Sequence, residues 1–131
     1  MKVLMLTAVM NGGGTERVIA VLANYLAKQN IDVAIAMTAG DRVVYELDSR
    51  IKVLQLGDRT GGSIKKRLER VRRIRECYKE DPDRIIVSFG TETNLFALLA
   101  GIGSKNKIII SERNDPNQCN FKMLRNLIYR L

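Results

Sequence analysis

The stretch Val3-Leu4-Met5-Leu6, leading through Asn11-Gly12-Gly13-Gly14-Thr15-Glu16-Arg17 into a helical pattern, decides the fold of this chain. Four consecutive apolar residues bounded by a glycine-rich turn are too short for a helix and read as a buried strand over Lys2 to Ala8. From Glu16 onward, Val18, Ile19, Leu22, Ala23, Leu26 and Ala27 recur at helical spacing, while Asn24, Lys28 and Gln29 fall elsewhere. Thr15 is placed to cap that helix, and Glu16 puts an acid in its first turn, where the helix dipole favours one. Strand, glycine turn and helix N-terminus in this order aim unpaired backbone N–H groups at one spot, which suits an anionic ligand.

The same grammar continues outward. Val33 to Thr38 is an unbroken apolar run, as expected of a strand covered on both faces. Ala39-Gly40-Asp41 turns the chain, Val43 to Arg50 reads as either a short strand or a loop, and Ile51 to Leu56 is a third strand. After the polar loop Gly57 to Gly62, Ser63 to Lys79 sets Ile64, Leu68, Val71, Ile74 and Tyr78 on one helical face. The rest of that helix carries Lys65, Lys66, Arg67, Arg70, Arg72, Arg73, Arg75 and Lys79. Asp81-Pro82-Asp83 stops it, and Ile85-Ile86-Val87 opens a fourth strand ending near Ser88. Phe89-Gly90 makes a second strand-to-helix turn, with Thr91 or Thr93 as cap of a helix from Asn94 to Gly101, and Lys107 to Ser111 is the fifth strand.

Strands and helices alternating at this rhythm predict an α/β fold, a Rossmann-like doubly wound parallel sheet with helices on both faces. Ligands of such sheets bind at the carboxyl ends of the strands, where strand order reverses. Here that edge collects Asn11 to Arg17, Phe89 to Asn94 and Ser111 to Asp115. The last segment places Phe121, Leu124, Leu127, Ile128 and Leu131 on one helical face and stops there without a C-cap glycine. Such an ending predicts a fragment whose partner domain has been removed, with a frayed terminus as the alternative.

Composition narrows the function. The 131 residues, 46% of them hydrophobic, suit a single domain over 1–131 with a real core. No stretch is long and apolar enough to span a membrane, and the N-terminal run is too short for a signal peptide, so a cytoplasmic location is expected. Cys77 and Cys119 form no metal-ligand or redox spacing and read as free thiols. Without a histidine, the chain supplies no Ser-His-Asp triad, Cys-His pair or histidine metal site. The formal charge of +8 favours anionic partners.

The glycine loop departs from two known phosphate binders. A dinucleotide fingerprint begun at Gly12 would need its third glycine where Arg17 stands, and the P-loop Gly-Lys-Ser or Gly-Lys-Thr is absent. A single-domain dinucleotide- or nucleotide-binding module is the alternative function, but its ribose-binding acid could only be Asp41, which comes late. The plain structural reading is that three glycines permit a tight turn.

With Gly13-Gly14-Thr15-Glu16-Arg17 joined to Ser111-Glu112-Arg113-Asn114-Asp115-Pro116, the chain resembles the N-terminal domain of bacterial retaining glycosyltransferases of the GT-B fold, group four. The resemblance covers the full chain. It implies transfer of a sugar from a nucleotide diphosphate sugar to a saccharide or lipid-linked acceptor, in surface polysaccharide or glycolipid synthesis, with retained anomeric configuration. It also implies no cofactor and no metal. Such enzymes pair two Rossmann-like domains across a cleft, with most donor contacts and a pair of glutamates on the C-terminal one, so this half alone would be inactive.

Carried onto this chain, the resemblance makes Gly13 and Gly14 an approach for donor phosphates, with Thr15, Glu16 and Arg17 completing a loop that binds donor phosphate or acceptor. Many relatives carry a histidine after strand five, where this sequence has Ser111-Glu112-Arg113. Glu112 is the catalytic candidate, able to orient an acceptor hydroxyl or stabilise positive charge on the sugar ring. Arg113 could pair with an acceptor phosphate, or Glu112 and Arg113 could form an internal ion pair. Thr91, Asn94 and Asn114 complete the candidate site.

The basic helix is either a solvated face with internal pairs such as Glu69 with Arg73, or a surface that rests on anionic lipid. Nucleic acid is the poorer partner, since 5% aromatic residues and no tryptophan leave few stacking platforms.

Overall fold

A computed structural model of the chain describes residues 1–57 and 63–113. The expected helix from Phe121 to Leu131, together with Asn114 and Cys119, lies outside the described residues. The elements run β1 (Lys2–Thr7), α1 (Gly14–Lys28), β2 (Asp32–Met37), β3 (Lys52–Gln55), α2 (Ile64–Glu80), β4 (Ile85–Phe89), α3 (Thr91–Ala100) and β5 (Ile108–Ser111). All five strands are parallel, in the order β3-β2-β1-β4-β5. The chain first builds outward from β1 on one side and later on the other, so the order reverses between β1 and β4. This is the expected doubly wound sheet.

Period-two alternation divides the core into two layers. Val3 and Met5 of β1 and Val33, Ile35 and Met37 of β2 pack with Ile19, Ala20, Ala23 and Ala27 of α1. Leu4 and Leu6, with Ala34 and Ala36, pack on the opposite face with Ile74, Cys77 and Tyr78 of α2 and Phe96, Ala97 and Ala100 of α3. Because β1 and β2 are buried on both faces, their sequences read as apolar runs instead of alternating ones. At the edge, β3 pairs, among the described residues, only with β2, and its Val53 is exposed.

The segment left open between strand and loop, 43–50, is neither an added strand nor a helix. It forms a strap across α1. Val43 makes a single parallel bridge with Met10, and Val43, Tyr45 and Leu47 pack on the α1 layer. Asn24 of α1 fastens it twice, its amide donating to Glu46 O at 2.9 Å and its Oδ1 accepting from the Asp48 N–H at 2.8 Å.

The expected apolar face of α2 holds at Val71, Ile74 and Tyr78, which pack in the core, and fails in the first turns. Ile64 and Leu68 are 77% and 63% exposed, and the buried residues are Arg70, Ile74, Cys77 and Tyr78. Helix periodicity cannot tell which stripe of a mixed helix meets the sheet, and here α2 turns toward α3, where the Tyr78 hydroxyl donates to Ala97 O at 3.1 Å. Burial raises the pKa of both Tyr78 and Cys77 above its ordinary value. Ser63 caps this helix by accepting from the Lys66 N–H, and Asp81 follows its last residue.

Candidate functional site

The switch between β1 and β4 places three loops in a row along the carboxyl edge: the glycine loop before α1, the turn before α3, and the residues after β5. The expected N-cap of α1 moves. Gly13 takes that position, with extended backbone and no side-chain cap, and the helix begins at Gly14, so Thr15 lies within the first turn. Glu16, as expected, is the acid of that turn.

The three glycines stand there for three different reasons. Gly12 has φ 120°, a conformation that side chains rarely allow. Gly13 has an ordinary φ, but a methyl group on it would collide with the Glu16 carboxylate, which folds back over it. Gly14 is helical, and a methyl there would meet nothing within 4 Å. The interior of the protein gives no reason for glycine at 14, where alanine would favour the helix; the space beside it opens outward.

Tyr45, unforeseen in the sequence reading, fixes this loop from the strap. Its hydroxyl donates to Gly13 O at 2.8 Å, and the same carbonyl accepts from the Arg17 N–H at 3.1 Å. Nothing in the local sequence signals a contact across 32 positions. The Arg17 residue is exposed at the loop's outer side.

The second loop starts α3 earlier than expected. Gly90, at φ 94°, turns the chain so sharply that it becomes the N-cap, and neither Thr91 nor Thr93 caps the helix. The Thr91 hydroxyl instead donates to Glu112 Oε2 at 2.6 Å, while Glu112 Oε1 accepts from the Arg113 N–H at 3.1 Å. Thr91 and Glu112, both singled out from the sequence, are thus brought together, and the carboxylate faces the positive end of the α3 dipole. A carboxylate held at both oxygens is oriented, which suits it to position a hydroxyl or to stabilise developing positive charge.

Asn94 is buried, and its amide donates to Ser111 O at 3.2 Å. That side chain ties α3 to β5 and offers little surface to a ligand. Glu92 pairs with Arg67 of α2 at 3.8 Å, joining the two helix starts. Arg113 is exposed beside Glu112, and Asn114 lies outside the described residues. At the end of β2, where a ribose-binding acid would stand, the chain has Thr38 and Ala39, and Asp41 is exposed in the following loop.

The charge of α2 is more internally spent than its sequence suggests. Arg72 bonds Glu69 and Glu76, Arg73 bonds Glu69 at 3.3 Å, as expected, and Arg70 is buried. Hydrogen bonding from Arg72 holds the Glu69 carboxyl down at about 2. Among the described residues, no group of His, Cys, Asp or Glu side chains is arranged to hold a metal ion, and no helix is long and apolar enough to cross a membrane.

No family model matches the chain. It is 33% identical over 119 residues to the GalNAc-alpha-(1->4)-GalNAc-alpha-(1->3)-diNAcBac-PP-undecaprenol alpha-1,4-N-acetyl-D-galactosaminyltransferase of Campylobacter jejuni, a match covering 88% of this chain and 33% of the relative. It is 30% identical over 118 residues to an uncharacterized glycosyltransferase of Haemophilus influenzae, covering 89% of this chain and again 33% of the relative. Among solved structures it superimposes on the apo form of the lipopolysaccharide outer core galactosyltransferase WaaB with a TM-score of 0.78 at 19% identity, over 96% of this chain and 37% of that one. The fold is therefore one half of a GT-B fold, a Rossmann-like domain whose strand order reverses between β1 and β4. In sequence the chain is similar to bacterial glycosyltransferases, and it spans about a third of the length of the curated relatives it matches.

Proposed function

We propose that this chain is the acceptor-side, N-terminal half of a retaining glycosyltransferase. The enzyme moves a sugar from a nucleotide diphosphate sugar to a saccharide or lipid-linked acceptor in surface glycan synthesis. The observation that carries the reading is Gly14: a glycine in the first helical position, at the switch-point edge, with open space where a side chain would stand. Backbone N–H groups there can approach the donor diphosphate and stabilise its charge as the sugar leaves. The second half, holding the base and ribose, lies in the rest of the enzyme, so the chain alone does not turn over. The reading gives a metal no part in the reaction.

The test is a screen of nucleotide sugars on the full-length protein with lipid-linked and saccharide acceptors, scoring the anomeric configuration of the product. Transfer with retention, unchanged by EDTA, supports the proposal. Tight binding of NAD(H) without sugar transfer favours the single-domain nucleotide-binding alternative instead.

A second element of the reading is attachment to the inner face of the cell membrane through α2. The observation favouring it is the outward stripe of Ile64, Leu68, Arg75 and Lys79, in which two exposed apolar residues stand beside cations. Exposed Leu99 and Ile102 of the neighbouring α3 end extend the apolar part. Apolar insertion and attraction to anionic lipid add, each basic residue near the surface contributing about 1 kcal/mol. Co-sedimentation with phosphatidylglycerol vesicles, lost in Ile64→Glu/Leu68→Glu, supports it; equal sedimentation of the double variant removes it.

A further inference from the structure

We infer that Glu16 is a resident anion of the α1 N-terminus, which a phosphate group displaces in order to bind. The inference rests on the reading of the glycine loop as a phosphate seat and names the residue that regulates entry to it. Glu16 occupies the third helical position, from which its side chain folds back over Gly13, so that a methyl group there would strike the carboxylate. The carboxylate thus stands at the positive end of the helix, the place an external anion would take.

It is held there weakly. Glu16 Oε2 is buried and has no hydrogen-bond partner among the described residues. A buried acceptor without a partner carries an unreturned desolvation cost, so the resting arrangement is stabilised by the dipole and opposed by dehydration. An external phosphate with several acceptor oxygens can use the helix N–H groups that Glu16 Oε2 leaves unbonded, and the space beside Gly14 gives it room.

The rest of the loop does not need to move. The Gly13 carbonyl is pinned by the Tyr45 hydroxyl and the Arg17 N–H, so Glu16 can leave by rotation about its own side-chain bonds. The consequence is a threshold: a small free anion must compete with an internal carboxylate, whereas a diphosphate with contacts elsewhere can overcome it.

The experiment titrates inorganic pyrophosphate into the full 131-residue chain, its Glu16→Gln variant and its Gly13→Ala variant, reading the Gly14 and Thr15 amide resonances. Local resonances separate this loop from pyrophosphate bound to the basic α2. Removing one like charge at close range through solvent is expected to tighten binding about fivefold in Glu16→Gln. Gly13→Ala, which forces the carboxylate away, is expected to shift affinity in the same direction, with no further gain when the two are combined. Circular dichroism checks each variant for folding, and if Glu16→Gln does not fold, Gly13→Ala decides. Wild-type binding that is unchanged or weakened by the substitutions overturns the role of Glu16 and leaves the phosphate seat standing. Gly14 and Thr15 amides that stay still in every form overturn both.

Discussion

Thr91, the first residue of α3, donates its hydroxyl proton to Oε2 of Glu112, just past the end of β5, across 2.6 Å. The bond joins two loops that meet only because β4 and β5 are neighbours in the sheet, and it sets the orientation of the one carboxylate at this edge that the sequence had marked as catalytic. Thr91→Val keeps the shape and removes the donor. The expected result is a loss of about 1 kcal/mol of stability in urea melts, the usual worth of one such bond, and a fall in kcat of the full-length enzyme. Thr91→Ser is expected to restore both. Glu112→Ala is expected to cut transfer by roughly a hundredfold, the scale of losing one preorganised electrostatic contact, and full activity in that variant would remove Glu112 from the mechanism.

Gly14→Ala separates stability from function. In a helical position facing open space, alanine is expected to stabilise the chain by about 0.5–1 kcal/mol, seen as a raised urea midpoint. The same methyl group narrows the approach to the helix N-terminus, so the full-length enzyme should show a higher KM for its nucleotide sugar. A variant that is stabilised and fully active would show that the space at Gly14 is unused.

Acid should weaken the fold through named pairs. Hydrogen bonds from Arg50 depress the Asp48 pKa, and the hydrogen bond from Lys2 depresses that of Asp81. Carboxyls depressed in the folded state contribute stability above their unfolded values near 4, and lose it as pH falls through their folded values. Thermal melts from pH 5 down to 2 should therefore show a falling midpoint. Asp81→Asn is expected to flatten that fall, and an identical slope in the variant would rule the Lys2 pair out as a contributor.

Cys77 should be slow to react. It is buried in the α2 layer, and burial raises its thiol pKa, both of which lower the thiolate available to alkylating agents. With Cys119 changed to serine, labelling by iodoacetamide at pH 8 is expected to be at least tenfold slower in the native chain than in urea.

The central strands β1 and β2 were legible because their apolar runs reflect burial on both faces of a parallel sheet. The helix starts were placed less well. Thr15, Thr91 and Thr93 all have cap chemistry, but glycines take the caps, Gly90 through a positive-φ turn and Gly13 at a position where a side chain would strike the Glu16 carboxylate. The face of α2 was read correctly at Val71, Ile74 and Tyr78 and misjudged at Ile64 and Leu68, because a helix with eight cations leaves narrow apolar stripes and only its packing partners decide how far each is buried. In the site, the pairing of Thr91 with Glu112 depends on strand order, whereas Tyr45 reaches Gly13 from an irregular segment with no pattern to read.

That segment has a consequence of its own. Between β2 and β3 the crossover contains no helix, only the strap fastened by one bridge at Val43, by the two bonds of Asn24 and by Tyr45. A connection moored at a few separate points, instead of by a continuous hydrogen-bond ladder, can gain or lose residues between its moorings without shifting the register of the sheet. The exposed residues Asp41 and Arg42, between the Ala39 N–H bond to Ala8 O and the bridge at Val43, are thus where this crossover can be lengthened or reshaped while the architecture stays unchanged.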